Sequence, residues 1–275
     1  MIDLSEVLLR PTKSAKDTPH LASPRWVSEN LGNSSELLGV PVDRIDIPDS
    51  SRLVFHTDPH SPGADRFRLL RMRLREMREL AKLRSLIVTS PLPEDGKSTV
   101  TLNLATALAE GGERSVLVIE ADLHRPGLAT KLGLEDRPGL VECLKGTMDP
   151  LAALRRIEPL HWCFLHAGSV PDNPTELLQL DSFGAMMKTF SGCFDWILVD
   201  TPPVVPLTDA LSIAPHVDTS LLVVRADCTP KEAIKEALSM LGPKHVLGMV
   251  LNGAEGLNRA YAQYTQYYGS KRDRG

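Results

Sequence analysis

The stretch TSPLPEDGKST, residues 89–99, joins an apolar run rich in β-formers to a run with helical character. Gly96, Lys97 and Ser98 in succession at such a junction suit one kind of chemistry. A turn at a helix N-terminus aims several backbone N–H groups at one point, where phosphate charge is best stabilised. Gly96 lets the backbone approach closely, Lys97 reaches the β- and γ-phosphates of a nucleoside triphosphate, and Ser98 offers a hydroxyl to Mg2+. Asp95 and Thr99 complete the candidate nucleotide loop. Pro91 stands where the first glycine of the general pattern G-x-x-x-x-G-K-[ST] belongs. Acidic residues at two other strand ends fit the same chemistry. FDWILVDTPPV places Asp200 where a carboxylate holds Mg2+, often through water. SVLVIEADLHRP ends on Glu120 and Asp122, and side chains two apart on a strand share a face. Both are therefore expected to turn toward the phosphates at the carboxyl edge of the sheet.

These residues need elements to hold them. SLIVTS, SVLVIEAD, DWILVD, SLLVVRAD and VLGMVLN read as short strands that are apolar throughout. Between them lie helical patterns, including STVTLNLATALAEGG, TELLQLDSFGAMMKTF, TDALSIAPH and PKEAIKEALSML. Ahead of the first strand, DRFRLLRMRLREMRELAKL puts Phe67, Leu70, Leu74, Met77 and Ala81 on one helical stripe. Apolar strands alternating with helices predict an α/β fold: a mainly parallel β-sheet covered by helices on both faces. Residues 1–50 carry scattered prolines and weak periodicity and read as an irregular N-terminal extension. The regular domain spans 51–258, and 259–275 forms a flexible tail. His56 and His60 flank Pro59 and read as solvated loop residues rather than metal ligands.

The chain has 275 residues, 42% of them hydrophobic and 24% charged, within the ordinary range for a globular protein. A formal net charge of −4 gives no general attraction to nucleic acid, so no nucleic-acid partner is expected. Four dispersed cysteines without a C-x-x-C pair read as reduced thiols of a cytoplasmic protein. No apolar run approaches the length of a membrane crossing. Recruitment to a membrane would therefore need a partner. The four tyrosines, Tyr261, Tyr264, Tyr267 and Tyr268, all fall in the tail. A core would spread them, because each brings apolar area and a hydroxyl that needs a partner. Their clustering suggests a tail that is read or modified.

Taken together, SPGADRFRLLRMRL, VTSPLPEDGKST, VLVIEADLHRPGL, DNPTELL, FDWILVDTPPV, TDAL and the tyrosine tail resemble the bacterial tyrosine kinases (BY-kinases) of capsule and exopolysaccharide export. The likeness covers about residues 52 to 270. It implies a P-loop NTPase architecture of the deviant-Walker, MinD-like kind and an ATP- and Mg2+-dependent autokinase. Gly96, Lys97 and Ser98 would form the nucleotide loop. Glu120, in place of the family's first aspartate, and Asp122 would form its second Walker motif, and Asp200 would complete the Mg2+ set. Asp122 would help deprotonate the incoming tyrosine, and Arg125 matches an arginine that follows this motif. Asp65, Arg68 and Arg71 match an E-x-x-R-x-x-R pattern through which members assemble into rings. In such a ring the tail tyrosines of one subunit would be autophosphorylated by the next. The resemblance also implies a separate membrane adaptor of the polysaccharide chain-length regulator type. Leu92 and Glu94 replace common glycines of the loop, and His124 replaces an arginine. These departures go with a second reading, a catalytically weak nucleotide-binding regulator; a third, a P-loop ATPase of the MinD/ParA kind, is disfavoured by Leu92.

Overall fold

A computed structural model describes residues 2–3, 39–47 and 51–254. The tyrosine tail and most of the N-terminal extension lie outside the described residues.

Among the described residues the chain builds one nine-stranded sheet. Its strands are β1 (Ile2–Asp3), β2 (Val42–Arg44), β3 (Ser85–Thr89), β4 (Val116–Glu120), β5 (Arg155–Glu158), β6 (Trp162–Leu165), β7 (Trp196–Asp200), β8 (Thr219–Arg225) and β9 (Val246–Asn252). They lie side by side in the order β1-β9-β8-β3-β7-β4-β6-β5-β2. From β9 to β6 every neighbouring pair is parallel. The five strands expected from sequence all lie in this central block.

The edges differ from the expectation. β1 runs antiparallel to β9, and β5 runs antiparallel to β6. β2 is parallel to β5 and closes the far side. Ile2–Asp3 and Val42–Arg44 fall in the stretch read as an irregular extension, yet both pair into the sheet. Short strands such as these carry too few residues to show a period, and only their neighbours specify them.

The helices are α1 (Val54–Thr57), α2 (Pro62–Ala81), α3 (Lys97–Ala109), α4 (Leu128–Lys131), α5 (Leu140–Leu144), α6 (Pro174–Leu178), α7 (Asp181–Cys193), α8 (Asp209–Ile213) and α9 (Lys231–Leu241). Ser61 caps α2 by accepting the Ala64 N–H at 3.2 Å, and Pro62 fills its first position. Phe67, Leu70 and Leu74 are fully buried, whereas Ala81, expected on the same stripe, is exposed. The stretch 175–190 splits into α6 and α7, because Leu180 takes extended backbone and restarts the helix.

Each sheet face carries its own core. On one face α2 and α3 supply Phe67, Leu70, Leu74, Leu104 and Leu108. On the other, α7, α8 and α9 supply Phe183, Phe190, Ile213 and Leu241. Strands covered on both faces must be apolar at every position, and β3, β4 and β7 are buried throughout.

Candidate active site

Strand order positions the site. β7 lies between β3 and β4, so Asp200 ends up beside Val88 on one side and Glu120 on the other. The chain leaves β3 through residues 90–96 and enters α3 at Lys97. Gly96 has φ of +95°, in the left-handed region where a side chain is strained.

Five polar groups from three segments meet there. Lys97 Nζ lies 3.0 Å from Asp122 Oδ2 and 3.4 Å from Asp200 Oδ2. The Ser98 hydroxyl donates to Asp200 Oδ2 at 3.0 Å. Thr101 donates to Asp200 Oδ1 at 2.9 Å. Thr101 was not anticipated. It stands four residues after Lys97, hence on the same helical face, and that spacing could have revealed it.

Asp200 is almost completely buried. Burial pushes its carboxyl up, against the opposing pull of Lys97 and of the Thr101 and Ser98 hydroxyls. For Lys97, burial acts to lower the ammonium, but Asp200 and Asp122 outweigh it and the net direction is upward. Lys97 is therefore held charged.

Glu120 departs from the expected convergence. Its Oε1 accepts the N–H groups of Gly127 at 2.6 Å and Leu128 at 2.5 Å. The carboxylate thus ties down the start of α4 instead of facing Lys97. Burial raises its pKa, offset in part by the backbone donors Leu128 and Gly127. The shared-face rule fails because the strand ends at Glu120, so Asp122 already lies in the following turn.

Asp122 itself is well placed. One oxygen meets Lys97, and the other accepts the Arg125 N–H at 3.0 Å, which fixes the turn. The Arg125 side chain is exposed beside it. His124 Nε2 lies 2.8 Å from Oδ2 of Asp209, a buried carboxylate that also accepts the Thr175 hydroxyl at 2.6 Å. This contact joins the VLVIEADLHRPGL, DNPTELL and TDAL stretches at one point.

Two loop residues also have partners within the protein. The Asp95 carboxylate faces the protein, where it accepts the Leu92 N–H and the Thr229 hydroxyl. Thr99 lies on the first turn of α3, and its carbonyl accepts from Asn103. Asp65, Arg68 and Arg71 are remote from Lys97 and have partners within the chain. Arg68 pairs with Asp65 at 2.8 Å and also reaches the Pro59 carbonyl, while Arg71 donates to the Ala107 carbonyl.

The donor set fits a magnesium nucleotide. Asp122 and Asp200 outnumber the single Lys97 ammonium by one charge, and Ser98 presents a hydroxyl beside them. Among the described residues no three His, Cys, Asp or Glu side chains form a metal cluster by themselves. Mg2+ typically takes one or two carboxylates together with substrate phosphates.

A loop between a strand and a helix N-terminus, with a charged lysine and strand-end carboxylates on a parallel sheet, defines a P-loop protein. No family model matches the chain. Tyrosine-protein kinase YwqD of Bacillus subtilis is 32% identical over 218 residues, covering 78% of this chain and 90% of that protein. The succinoglycan biosynthesis transport protein ExoP of Rhizobium meliloti is 30% identical over 229 residues. That match covers 82% of this chain but 29% of ExoP, and the putative tyrosine-protein kinase EpsB is likewise matched over 34% of its length. Among solved structures, the kinase domain of Escherichia coli tyrosine kinase ETK superposes with a TM-score of 0.70 at 27% identity. The superposition covers 74% of this chain and 80% of that domain. The chain belongs to the bacterial tyrosine kinase family.

Proposed function

We propose that this chain is a Mg2+- and ATP-dependent tyrosine autokinase that regulates the synthesis and export of a capsular or extracellular polysaccharide. One observation carries the reading. Lys97, Ser98, Asp122 and Asp200 converge at a strand-to-helix loop, in a chain related along most of its length to a tyrosine-protein kinase. ExoP, a transport protein for the polysaccharide succinoglycan, supports the biological setting.

Bound MgATP would supply the phosphoryl group and the metal charge that steadies it. The N–H groups of residues 95–99 would face the phosphates, and Lys97 would leave its carboxylates to stabilise charge spread over the γ-phosphoryl oxygens. Ser98 and Asp200 would hold the metal. Asp122 would accept the proton of a tyrosine hydroxyl as the new oxygen–phosphorus bond forms and the bond to the β-phosphate bridging oxygen breaks. Arg125, exposed beside Asp122, would meet the incoming tail. Glu120 would act by fixing α4 instead of binding metal directly.

In this reading residues 51–258 form the kinase domain, and the acceptors Tyr261, Tyr264, Tyr267 and Tyr268 belong to a neighbouring copy in a ring joined through Asp65, Arg68 and Arg71. A separate membrane adaptor of the chain-length regulator type would bring the kinase to the inner face of the plasma membrane. Among the described residues no helix is long and apolar enough to cross a membrane.

Phosphotyrosine mass spectrometry of purified protein incubated with MgATP tests the proposal. Tail phosphate is expected in the unaltered protein and absent from Lys97→Met. Hydrolysis of ATP without tail phosphate would favour a P-loop ATPase. Leu92 argues against a MinD/ParA-type enzyme, since such proteins carry a lysine at that place.

A further inference from the structure

The loop before Lys97 is fixed from outside its own strand and helix. Asp95 is buried, with 4% of its surface exposed, although its neighbour Glu94 faces solvent. One Asp95 oxygen accepts the Leu92 N–H at 3.0 Å, and the other accepts the Thr229 hydroxyl at 2.6 Å. Thr229 is itself anchored, because its hydroxyl oxygen accepts the Arg225 N–H at 2.9 Å. A second tether comes from the end of β9. There the Asn252 amide donates to the Asp95 carbonyl at 2.9 Å. A Cβ at position 96 would overlap that same amide. Asn252 and Gly96 therefore fit only because Gly96 has no side chain.

These bonds restrain a loop that carries strain. Glu94 sits at φ of +66°, a region costly for a residue with a Cβ. The Leu92-to-Asp95 bond closes the turn over it, and that bond depends on where the Asp95 carboxylate points. Without the Thr229 hydroxyl, a buried carboxylate loses a donor and is driven toward water. Leu92 would then be released, and Glu94 could relax to a commoner conformation. The N–H groups that follow would lose their common aim.

We propose that Thr229 and Asn252 are positioning residues that, acting through Asp95, hold the phosphate loop in its nucleotide-receiving shape before nucleotide arrives. This rests on the reading of residues 95–99 as a nucleotide site. It assigns to the connection after β8, which carries Thr229, and to the end of β9, which carries Asn252, a part in shaping the phosphate loop. Nucleotide affinity is improved when the receiving groups are already ordered.

The experiment uses the full chain with Thr229→Val, Thr229→Ser and Asn252→Ala. Affinity for a fluorescent methylanthraniloyl-ATP is titrated with Mg2+ present. Hydrogen–deuterium exchange is followed over residues 92–97 without nucleotide. Thr229→Val is expected to weaken affinity about tenfold, the effect of one lost hydrogen bond to a charged group, and Thr229→Ser to restore it. Exchange across 92–97 should quicken in Thr229→Val and Asn252→Ala while the amides of β3 and β7 stay protected. A merely structural role would instead speed exchange through the sheet and leave affinity unchanged, which would overturn the proposal. Unaltered affinity and exchange in both variants would overturn it too. An unaltered protein that takes up no nucleotide analogue would sink the nucleotide reading itself. Uptake that neither Thr229→Val nor Asn252→Ala diminishes would sink the clamp alone.

Discussion

Lys97 forms a buried ion cluster with Asp122 and Asp200, in which one ammonium serves two carboxylates. Removing the cation leaves uncompensated negative charge, so Lys97→Met should cost stability as well as the tail phosphate. Glu94 makes a second prediction at this scale. Its left-handed backbone is disfavoured for a side-chain-bearing residue, so Glu94→Gly should stabilise the chain by up to about 1 kcal/mol, partly offset by unfolded-chain entropy. Thermal unfolding would register this as a raised midpoint. His166 makes a third. It is buried, its ring centroid lies 4.7 Å from that of Phe164, and burial together with Arg137 lowers its pKa to about 4. The folded pKa lies below the ordinary 6.5, so the unfolded chain takes the proton first. The stability held with His166 neutral is intact above pH 6.5 and declines as pH falls from there toward 4. His166→Gln should lessen the drop in thermal midpoint across that window. An unchanged drop would show that other groups carry it.

At the scale of elements, the segment from β4 to α4 depends on Glu120. Its carboxylate accepts two backbone donors at the start of a four-residue helix too short to stand by itself. Glu120→Ala should cost about 1–3 kcal/mol, because buried N–H groups would be left without an acceptor. Urea unfolding gives the stability change, and the mobility of residues 121–128 should rise with it. A variant as stable as the original would show that water replaces the carboxylate at no cost. The helical stripe of α2 was legible in the sequence because 20 residues repeat one period many times. The break at Leu180 was not, since apolar residues on both sides continue the pattern through it.

For the whole molecule, the proposed ring makes a prediction. Arg68 and Asp65 are both more than a third exposed, and such a pair adds only about 0.2–1 kcal/mol to the fold of one chain. Arg68→Ala should therefore leave unfolding nearly unchanged, and adding Arg71→Ala should further remove only the bond to the Ala107 carbonyl, about 1 kcal/mol. The double change should shift the protein toward monomer in size-exclusion chromatography and reduce tail phosphorylation. Large assemblies that persist at full size would remove these residues from the interface.

By itself the sequence determined five of the six central parallel strands, all but β6, together with the loop at Lys97 and the carboxylates of Asp122 and Asp200. Each is a local pattern: an apolar run bounded by turn residues, or a charge at a strand end. Tertiary structure alone decided that β7 enters between β3 and β4, that Glu120 turns to the backbone of α4, and that Asp95 answers to Thr229 and Asn252. The first and third depend on residues far apart in the chain, which meet only after the strands have taken their places; the second depends on where the turn after β4 sends the chain. Hydrogen-bond partners at such separations leave no period or spacing in the sequence.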